Sequence, residues 1–302
     1  MANPQARHVV IAGSSGVIGS ALTTALRADG ITVSRLVRRP ARAPDELEWL
    51  TSGSSLAPDI LAGAAAVVNL CGVSIGRLPW TRKYRDELSS SRLTPTRTLA
   101  SAIRALGPEA PAFLSASAVG YYGDRPGEEL TEASGPGSTY LAELCAEWEQ
   151  AALTAGPHSR VVLLRTAPLL HRRGVLKPLI TLTGLGLGGP LGPGTQVWPW
   201  ISLDDEVRAI RHLIDSQVDG PANLSGPLPA TANEIGRELA RAMHRPFLLP
   251  APSWALRIAL GRAAADSLLL PDARVLPVAL EASGFTFTHR TAAAAITAAL
   301  AE

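Results

Sequence analysis

Short apolar runs alternate with amphipathic stretches through the first two thirds of the 302-residue chain. Runs typical of buried strands lie at residues 8–13, 32–37, 65–70, 112–116 and 160–164. Apolar residues recur at helical spacing over residues 20–28, 84–106 and 141–153. Because parallel strands need long crossovers, and helices supply them, this alternation predicts a parallel sheet covered on both faces.

The last third of the chain has a different pattern. Proline recurs there, and helical spacing is confined to residues 232–243, 254–260 and 291–301. Residues 178–203 carry no charge, but their many glycines and prolines would break a membrane helix. We interpret them as a glycine-rich loop followed by a short strand, and the last third as a smaller, mainly helical lobe.

Charge and cysteine content exclude several classes of protein. The formal net charge is +2, which is too balanced for non-specific nucleic-acid binding as the main activity. Two cysteines cannot form a disulfide scaffold or a four-cysteine zinc site. The N-terminus lacks the pattern of a signal peptide. We therefore expect a cytoplasmic protein without a membrane, nucleic-acid or metal partner.

A glycine triplet follows the first predicted strand and opens the first predicted helix. Glycine in this pattern allows a tight turn and close approach of the backbone to a pyrophosphate, which the N–H groups of the helix N-terminus then bind. The spacing differs by one residue from the more familiar G-x-G-x-x-G. The predicted cofactor contacts in this turn are Gly13, Ser14, Ser15, Gly16, Val17, Ile18 and Gly19.

The end of the second strand predicts which dinucleotide binds. NAD sites usually place an acidic residue there for the ribose 2′-hydroxyl, but residues 30–44 contain none. Arg38 and Arg39 stand at this position instead. A guanidinium can pair a 2′-phosphate through two charge-assisted hydrogen bonds, so we predict NADP(H). The alternative is a solvated basic loop.

Three segments together resemble the extended short-chain dehydrogenase/reductases: the triplet Gly13–Gly19, the strand at residues 67–72, and residues 115–123. Residues 188–205 and 276–285 are similar to an epimerase-like branch of that family with a C-terminal domain of unknown function. The resemblance covers nearly the whole chain. It implies a Rossmann-type doubly wound sheet (residues 1–225) and a small C-terminal substrate lobe (residues 226–302), to which loop 170–197 contributes.

The resemblance also implies site residues. Leu70, Cys71 and Gly72 would pass the ribose and diphosphate, Pro168 would lie near the nicotinamide, and Ser115 would lie on the strand beside the cofactor. Ser117 is on the strand that carries the catalytic hydroxyl, and Arg92 either faces the cofactor or is an exposed helix charge.

The expected catalytic pair is missing. Family members use Tyr-x-x-x-Lys on one helix face, where the lysine assists proton transfer by the tyrosine. No tyrosine here has a lysine four residues later, and Leu144 follows Tyr140 at the expected place. Tyr121 and Tyr122 are the next candidates, and we select Tyr121 with Ser117 as the catalytic residues. Packing of the loop is the alternative.

Three tryptophans are candidates for contacts with a substrate. Trp80 follows the fourth strand at the sheet edge where ligands of open α/β sheets bind, and Trp198 and Trp200 follow the glycine-rich loop. Indole rings would favour a flat or apolar substrate. Core packing between the lobes is the alternative. The acidic run 204–206 is interpreted as a helix start.

Two functions remain open on this basis. The first is an NADP(H)-dependent oxidoreductase or epimerase acting on a small carbonyl or hydroxyl compound. The second is a non-catalytic NADP(H)-binding sensor that has lost the Tyr–Lys pair. Helices 84–106 and 141–153 could also pair in a homodimer.

Overall fold

The computed structural model describes residues 7–51 and 56–301. Residues 1–6 and 302, which belong to the two predicted domains, lie outside the described residues. The strands are β1 (His8–Ala12), β2 (Thr32–Val37), β3 (Glu46–Glu48), β4 (Ala66–Asn69), β5 (Ala112–Ala118), β6 (Glu129–Leu130), β7 (Val161–Thr166), β8 (Val197–Trp198), β9 (Gly220–Leu224), β10 (Ala230–Thr231) and β11 (Arg274–Val275). The helices are α1 (Val17–Ala28), α2 (Arg82–Ala105), α3 (Tyr140–Leu153), α4 (Leu176–Gly184), α5 (Leu203–Asp215), α6 (Ala232–Ala242), α7 (Ser253–Leu260), α8 (Arg262–Leu268), α9 (Val278–Ala282) and α10 (Ala292–Ala301).

Seven strands form the main sheet in the order β3-β2-β1-β4-β5-β7-β9. Every neighbouring pair in this sheet is parallel. The chain leaves β1 in one direction along the sheet and returns to β4 in the other, so a crevice opens at the carboxyl ends of these two strands. The predicted Rossmann-type α/β fold is therefore confirmed.

Alternate side chains of the central strands enter two different cores. Val9 and Ile11 pack with the face covered by α1 and α5, whereas Val10 and Ala12 pack with the face covered by α2. A strand buried on both faces has to be apolar throughout, which explains the continuous apolar runs in the sequence. Among the described residues, the buried polar side chains of Asn69, Ser115, Ser117 and Arg165 depart from this rule in β4, β5 and β7.

A third core lies in the C-terminal lobe. The strands β8 and β10 pair there in antiparallel fashion, and α6 packs against both α4 and α10. The prediction of a glycine-rich loop within residues 178–203, and of loop 170–197, is wrong in part, because α4 occupies Leu176–Gly184. Its inward residues Leu176, Leu179, Ile180 and Thr183 follow helical spacing, and Pro178 stands in the first turn, where its missing N–H costs little.

The domain boundary between residues 225 and 226 stays a prediction. Leu170, Val175 and Leu176, at the start of the predicted loop 170–197, pack in the core of the C-terminal lobe. Within residues 7–51 and 56–301, no helix is both long enough and apolar enough to cross a membrane.

Candidate functional site

The glycine turn between β1 and α1 lies at the crevice where the strand order reverses. Gly13 has φ +84°, and a Cβ there would lie 2.6 Å from the carbonyl oxygen of Leu70. A Cβ on Gly19 would overlap the carbonyl oxygen of Gly13. Only glycine therefore allows α1 to approach both the turn and the end of β4. This is the close approach of helix and strand that the sequence pattern predicts.

The N-terminus of α1 is open to an anion. The helix begins at Val17 after the exposed Gly16, without a capping side chain and without an acidic residue in its first turn. Its first N–H groups have no partner within the helix and carry a partial positive charge. Ser14 is half-buried and Ser15 is exposed beside them. The turn thus fits the diphosphate of a dinucleotide.

The loop after β4 forms the opposite wall. Cys71 is half-buried and Gly72 is exposed, and the amide side chain of Asn69 accepts a hydrogen bond from the Cys71 N–H at 3.2 Å. Burial raises the pKa of the Cys71 thiol to about 11, against the opposing effect of the nearby Arg38 charge. The thiol is therefore neutral near pH 7, and Arg38 lies close to the end of β4.

Arg92 fixes the position of the loop after β4. Its guanidinium donates to the carbonyl oxygens of Val73 and Leu88, each at 3.0 Å, and stacks over the Trp148 ring at 5.3 Å. Ser91 Oγ accepts the Val73 N–H at 3.2 Å. The geometry favours a role for Arg92 in positioning the loop that faces the cofactor. Direct contact of Arg92 with the cofactor stays a prediction.

The arginines after β2 are not equivalent. Arg39 makes two hydrogen bonds of 2.8 Å to Glu46, whose carboxylate is buried, and these bonds hold the pKa of Glu46 at about 2. Arg35 pairs with Asp45 in the same way, at 2.6 and 3.0 Å. Arg38 is exposed and has no ion pair or hydrogen bond among the described residues. Of the two predicted phosphate-binding residues, Arg38 is the one whose guanidinium is available.

The hydroxyl groups of β5 point into the protein. Ser115 is fully buried, and the Asn69 side-chain amide lies 3.4 Å from its Oγ. Ser117 is buried and donates to Glu149 Oε1 at 2.7 Å. A hydroxyl that is committed to a buried carboxylate cannot also orient a substrate carbonyl. The structure therefore does not support the prediction of a catalytic role for Ser117.

Glu149 and Arg165 form the centre of a buried polar network. Arg165 Nε and Nη2 donate to the two oxygens of Glu149 at 2.8 and 2.9 Å, and Arg165 Nη1 donates to the Tyr122 hydroxyl at 2.9 Å. That hydroxyl donates in turn to Asn223 Oδ1 at 2.7 Å. The network joins β5, α3, β7 and β9 beneath the predicted catalytic loop. This network was not predicted from the sequence, where the signal for it was Arg165 inside the apolar run 161–166.

The four tyrosines are placed very differently. Tyr140 donates its hydroxyl to the Arg85 carbonyl oxygen at 3.0 Å, and Leu144 is buried at the place of the lysine. Tyr122 is fully buried, and burial raises its pKa to about 12. Tyr84 is buried and donates to the Ser74 carbonyl oxygen at 2.5 Å. None of these three hydroxyls is free to act on a substrate.

Tyr121 differs from the other tyrosines. It is half-buried, and its hydroxyl has no hydrogen-bond partner in the described part of the chain. The Arg165 guanidinium carbon lies 3.7 Å from the centre of its ring, and the Tyr122 ring meets it edge-on with centroids 5.4 Å apart. These contacts fix the ring and leave the hydroxyl available. The assignment of Tyr121 as a proton donor stays a prediction.

The tryptophans pack in cores, which favours the packing alternative, and their assignment to the substrate stays a prediction. Trp200 is 1% exposed, donates to the Leu228 carbonyl oxygen at 3.0 Å, and covers Gly226 closely. Trp198 donates to the Leu269 carbonyl oxygen at 3.0 Å and borders a cavity of about 30 Å³, which is too small for a substrate. Trp80 is buried against Tyr140 and Ala264.

The acidic run begins α5, as predicted, and two of its members, Asp205 and Glu206, are buried. Asp205 accepts the backbone N–H groups of Thr288 and His289 at 2.7 and 2.9 Å, which ties α5 to the segment before α10. Asp204, Asp205 and His289 lie close together. Because Asp205 already accepts these backbone hydrogen bonds, we assign no metal to the cluster.

The predicted cofactor contact Pro168 is exposed just after the end of β7.

Glu206 is fully buried, and one of its oxygens accepts from Thr166 Oγ1 at 2.8 Å while the other has no partner among the described residues. Burial raises its pKa from 4.5 to about 8. The folded protein thus binds a proton here that the unfolded chain releases above pH 4.5. The contribution of this carboxyl to stability is fully present below that value and is lost as the pH rises toward 8.

Replacing Glu206 with glutamine should remove this pH dependence. We expect the variant to match the parent protein at pH 5 and to gain roughly 3–5 kcal/mol in free energy of unfolding relative to it at pH 9. Urea unfolding at both pH values measures the difference. Glu147→Gln changes an exposed glutamate and is the matched control. An equal effect of Glu206→Gln at both pH values would show that the carboxyl is ionised throughout.

Comparisons with known proteins agree with this geometry. A profile of the NAD dependent epimerase/dehydratase family matches residues 9–225, and one of a domain of unknown function, DUF1731, matches residues 251–299. The epimerase family protein ML0860 of Mycobacterium leprae is 43% identical over 94% of this chain and 92% of its own length.

Two solved structures are similar over nearly the whole chain. The human epimerase family protein SDR39U1, crystallised with NADPH, has a TM-score of 0.87 at 31% identity and covers 96% of this chain and 98% of its own. A nucleoside-diphosphate sugar epimerase from Corynebacterium glutamicum has a TM-score of 0.77 at 32% identity, over 97% of this chain and 58% of its own.

Proposed function

We propose that this chain, which belongs to the NAD dependent epimerase/dehydratase family, binds a nicotinamide dinucleotide and is an NADP(H)-dependent oxidoreductase or epimerase. Its substrate would be a small carbonyl or hydroxyl compound. The observation that carries the proposal is the uncapped N-terminus of α1, with Gly13 of the preceding turn against Leu70 after β4 and the charge of Arg38 acting on the neighbouring Cys71. We place the protein in the cytoplasm.

The preference for NADP(H) rests on Arg38. Residues 30–44 lack the acidic residue that would bind a ribose 2′-hydroxyl, and Asp45 and Glu46, which follow, are neutralised by Arg35 and Arg39. A 2′-phosphate beside Arg38 would meet a cation without a nearby competing carboxylate. The NADPH present in the SDR39U1 structure supports the same choice.

Arg38→Gln should weaken NADPH binding by about tenfold to a hundredfold and leave NADH binding nearly unchanged, because only NADPH carries the phosphate that the guanidinium pairs. Fluorescence titration with both cofactors measures this. Arg42→Gln, which changes an exposed arginine on the same loop, should have little effect. Tighter binding of NADH than of NADPH by the parent protein would refute the proposed cofactor.

In this proposal the glycine turn and the loop after β4 bind the cofactor, and Tyr121 transfers a proton. The N–H groups of the Gly13–Gly19 turn bind the diphosphate, and Leu70 and Cys71 line the opposite wall. A bound nicotinamide supplies hydride transfer to or from a substrate carbon. Tyr121 donates its phenolic proton to the carbonyl oxygen and becomes a phenolate; in the reverse direction this phenolate takes the proton from the substrate hydroxyl. Arg165 and Tyr122 hold the Tyr121 ring in both directions.

Tyr121→Phe tests the proton-transfer role. We expect turnover to fall by about a hundredfold with an unchanged NADPH affinity, since general acid catalysis contributes at least this much. Tyr140→Phe is the control, because its hydroxyl is bonded to the Arg85 backbone and not to the site. Full activity of Tyr121→Phe would assign the proton to another group.

The second candidate function is a non-catalytic NADP(H)-binding sensor. It is favoured by Leu144 at the place of the lysine and by the commitment of Ser117 to Glu149. NADPH oxidation across a broad panel of aldehydes and ketones separates the two functions. Tight NADPH binding without turnover of any compound, in either direction, would leave the sensor as the function.

A further inference from the structure

Six large apolar side chains on the C-terminal lobe project into solvent. They come from two neighbouring parts of the chain and are each 50% to 77% exposed. We call them the apolar patch: Leu185, Leu187, Leu248, Leu249, Trp254 and Ile258. Single exposed apolar residues are normal, but such a concentration marks an interaction site.

Backbone contacts make the patch one surface. The N–H groups of Leu248 and Leu249 both donate to the Gly188 carbonyl oxygen, at 2.8 and 3.1 Å. Farther along, Leu191 and Ala251 form a bridge just before α7 begins. Trp254 and Ile258 are one helical turn apart on α7, so their side chains emerge on the same side of it.

The charge around the patch is one-sided. Residues 167–203 and 238–266, which contain it, have seven lysines and arginines against two acidic residues, Glu238 and Asp266, although the whole chain has a net charge of only +2. Arg257 and Arg262 share Asp266, at 2.8 and 3.5 Å, and Arg241 lies 3.8 Å from Glu238; the side chains of Arg241 and Arg262 are nevertheless 82% and 87% exposed. The apolar patch therefore lies in a basic surface.

We propose that the apolar patch binds the surface of a bilayer containing anionic lipids. Trp254 and the aliphatic side chains would enter the boundary between headgroups and acyl chains, and the arginines would face the lipid phosphates. A second copy of this chain fits less well, because a two-fold contact through the patch would bring the same cations face to face. This departs from the sequence-based prediction of no membrane partner and does not depend on the enzymatic function.

Flotation with vesicles tests the proposal. We expect the full-length protein to bind vesicles of phosphatidylcholine mixed with phosphatidylglycerol, to bind phosphatidylcholine alone much less, and to be released by salt. The double variant Trp254→Ser/Ile258→Ser should bind the anionic vesicles about tenfold or more weakly. Leu153→Ser/Val278→Ser changes two exposed apolar residues elsewhere and should bind like the parent protein.

The melting temperature and NADPH affinity of both double variants should equal those of the parent protein, since all four side chains are exposed. Three outcomes would overturn the proposal. They are no binding to anionic vesicles, equal loss in both double variants, and a concentration-dependent dimer that Trp254→Ser/Ile258→Ser disperses. The last result would assign the patch to a second copy.

Discussion

Gly19→Ala should weaken NADPH binding by about a hundredfold, which corresponds to about 2.7 kcal/mol of binding free energy. The added Cβ would overlap the Gly13 carbonyl oxygen and lie 2.8 Å from the Ser14 Cα, so α1 must move away from the turn. The N–H groups that we assign to the diphosphate would move with it. Fluorescence titration with NADPH measures the loss.

Substitutions at two other glycines serve as comparisons for Gly19→Ala. Gly16→Ala adds a Cβ that lies 3.4 Å from the Gly13 carbonyl oxygen, so the melting temperature should change little while NADPH binding weakens at the exposed face of the turn. Gly135→Ala adds a Cβ to open space and should change neither property. Unchanged NADPH binding by both Gly19→Ala and Gly16→Ala would remove the diphosphate from this turn.

Glu149→Gln should lower the free energy of unfolding by about 3–5 kcal/mol, the usual effect of leaving one buried charge without its partner. The Arg165 guanidinium would keep its charge but lose its only carboxylate among the described residues, and both side chains are at most 6% exposed. Urea unfolding at pH 7 measures the change. A loss below about 1 kcal/mol would mean that water or another group compensates the arginine.

A double variant and a surface pair are the controls. Glu149→Met/Arg165→Met removes both charges and should recover part of the stability lost in Glu149→Gln. Glu129→Gln breaks the exposed pair of Glu129 with Arg274, which spans 3.3 Å, and should cost less than about 1 kcal/mol.

The fold was predictable because its signals are continuous in the sequence. Each buried strand of the sheet has to be apolar on both faces, and each covering helix repeats its apolar residues at helical spacing. α4 was missed because its glycine-rich surroundings and Pro178 are typical of loops. Its inward side chains form a helical face because they pack against α6 and β8, which are distant in the sequence.

The dinucleotide site depends on a strand, a turn and a helix that are adjacent in the chain, so local sequence determined it. Glycine at positions 13 and 19 is required by contacts within that unit and with the next strand. Only the tertiary structure decided whether Ser117, Trp200 and Arg39 are available to a ligand. Ser117 is bonded to Glu149, Trp200 packs against Gly226, and Arg39 is paired with Glu46, and each partner is distant in the sequence or on another strand. Residue type shows what a side chain can do, whereas its direction in the folded chain decides whether it meets a ligand or the core.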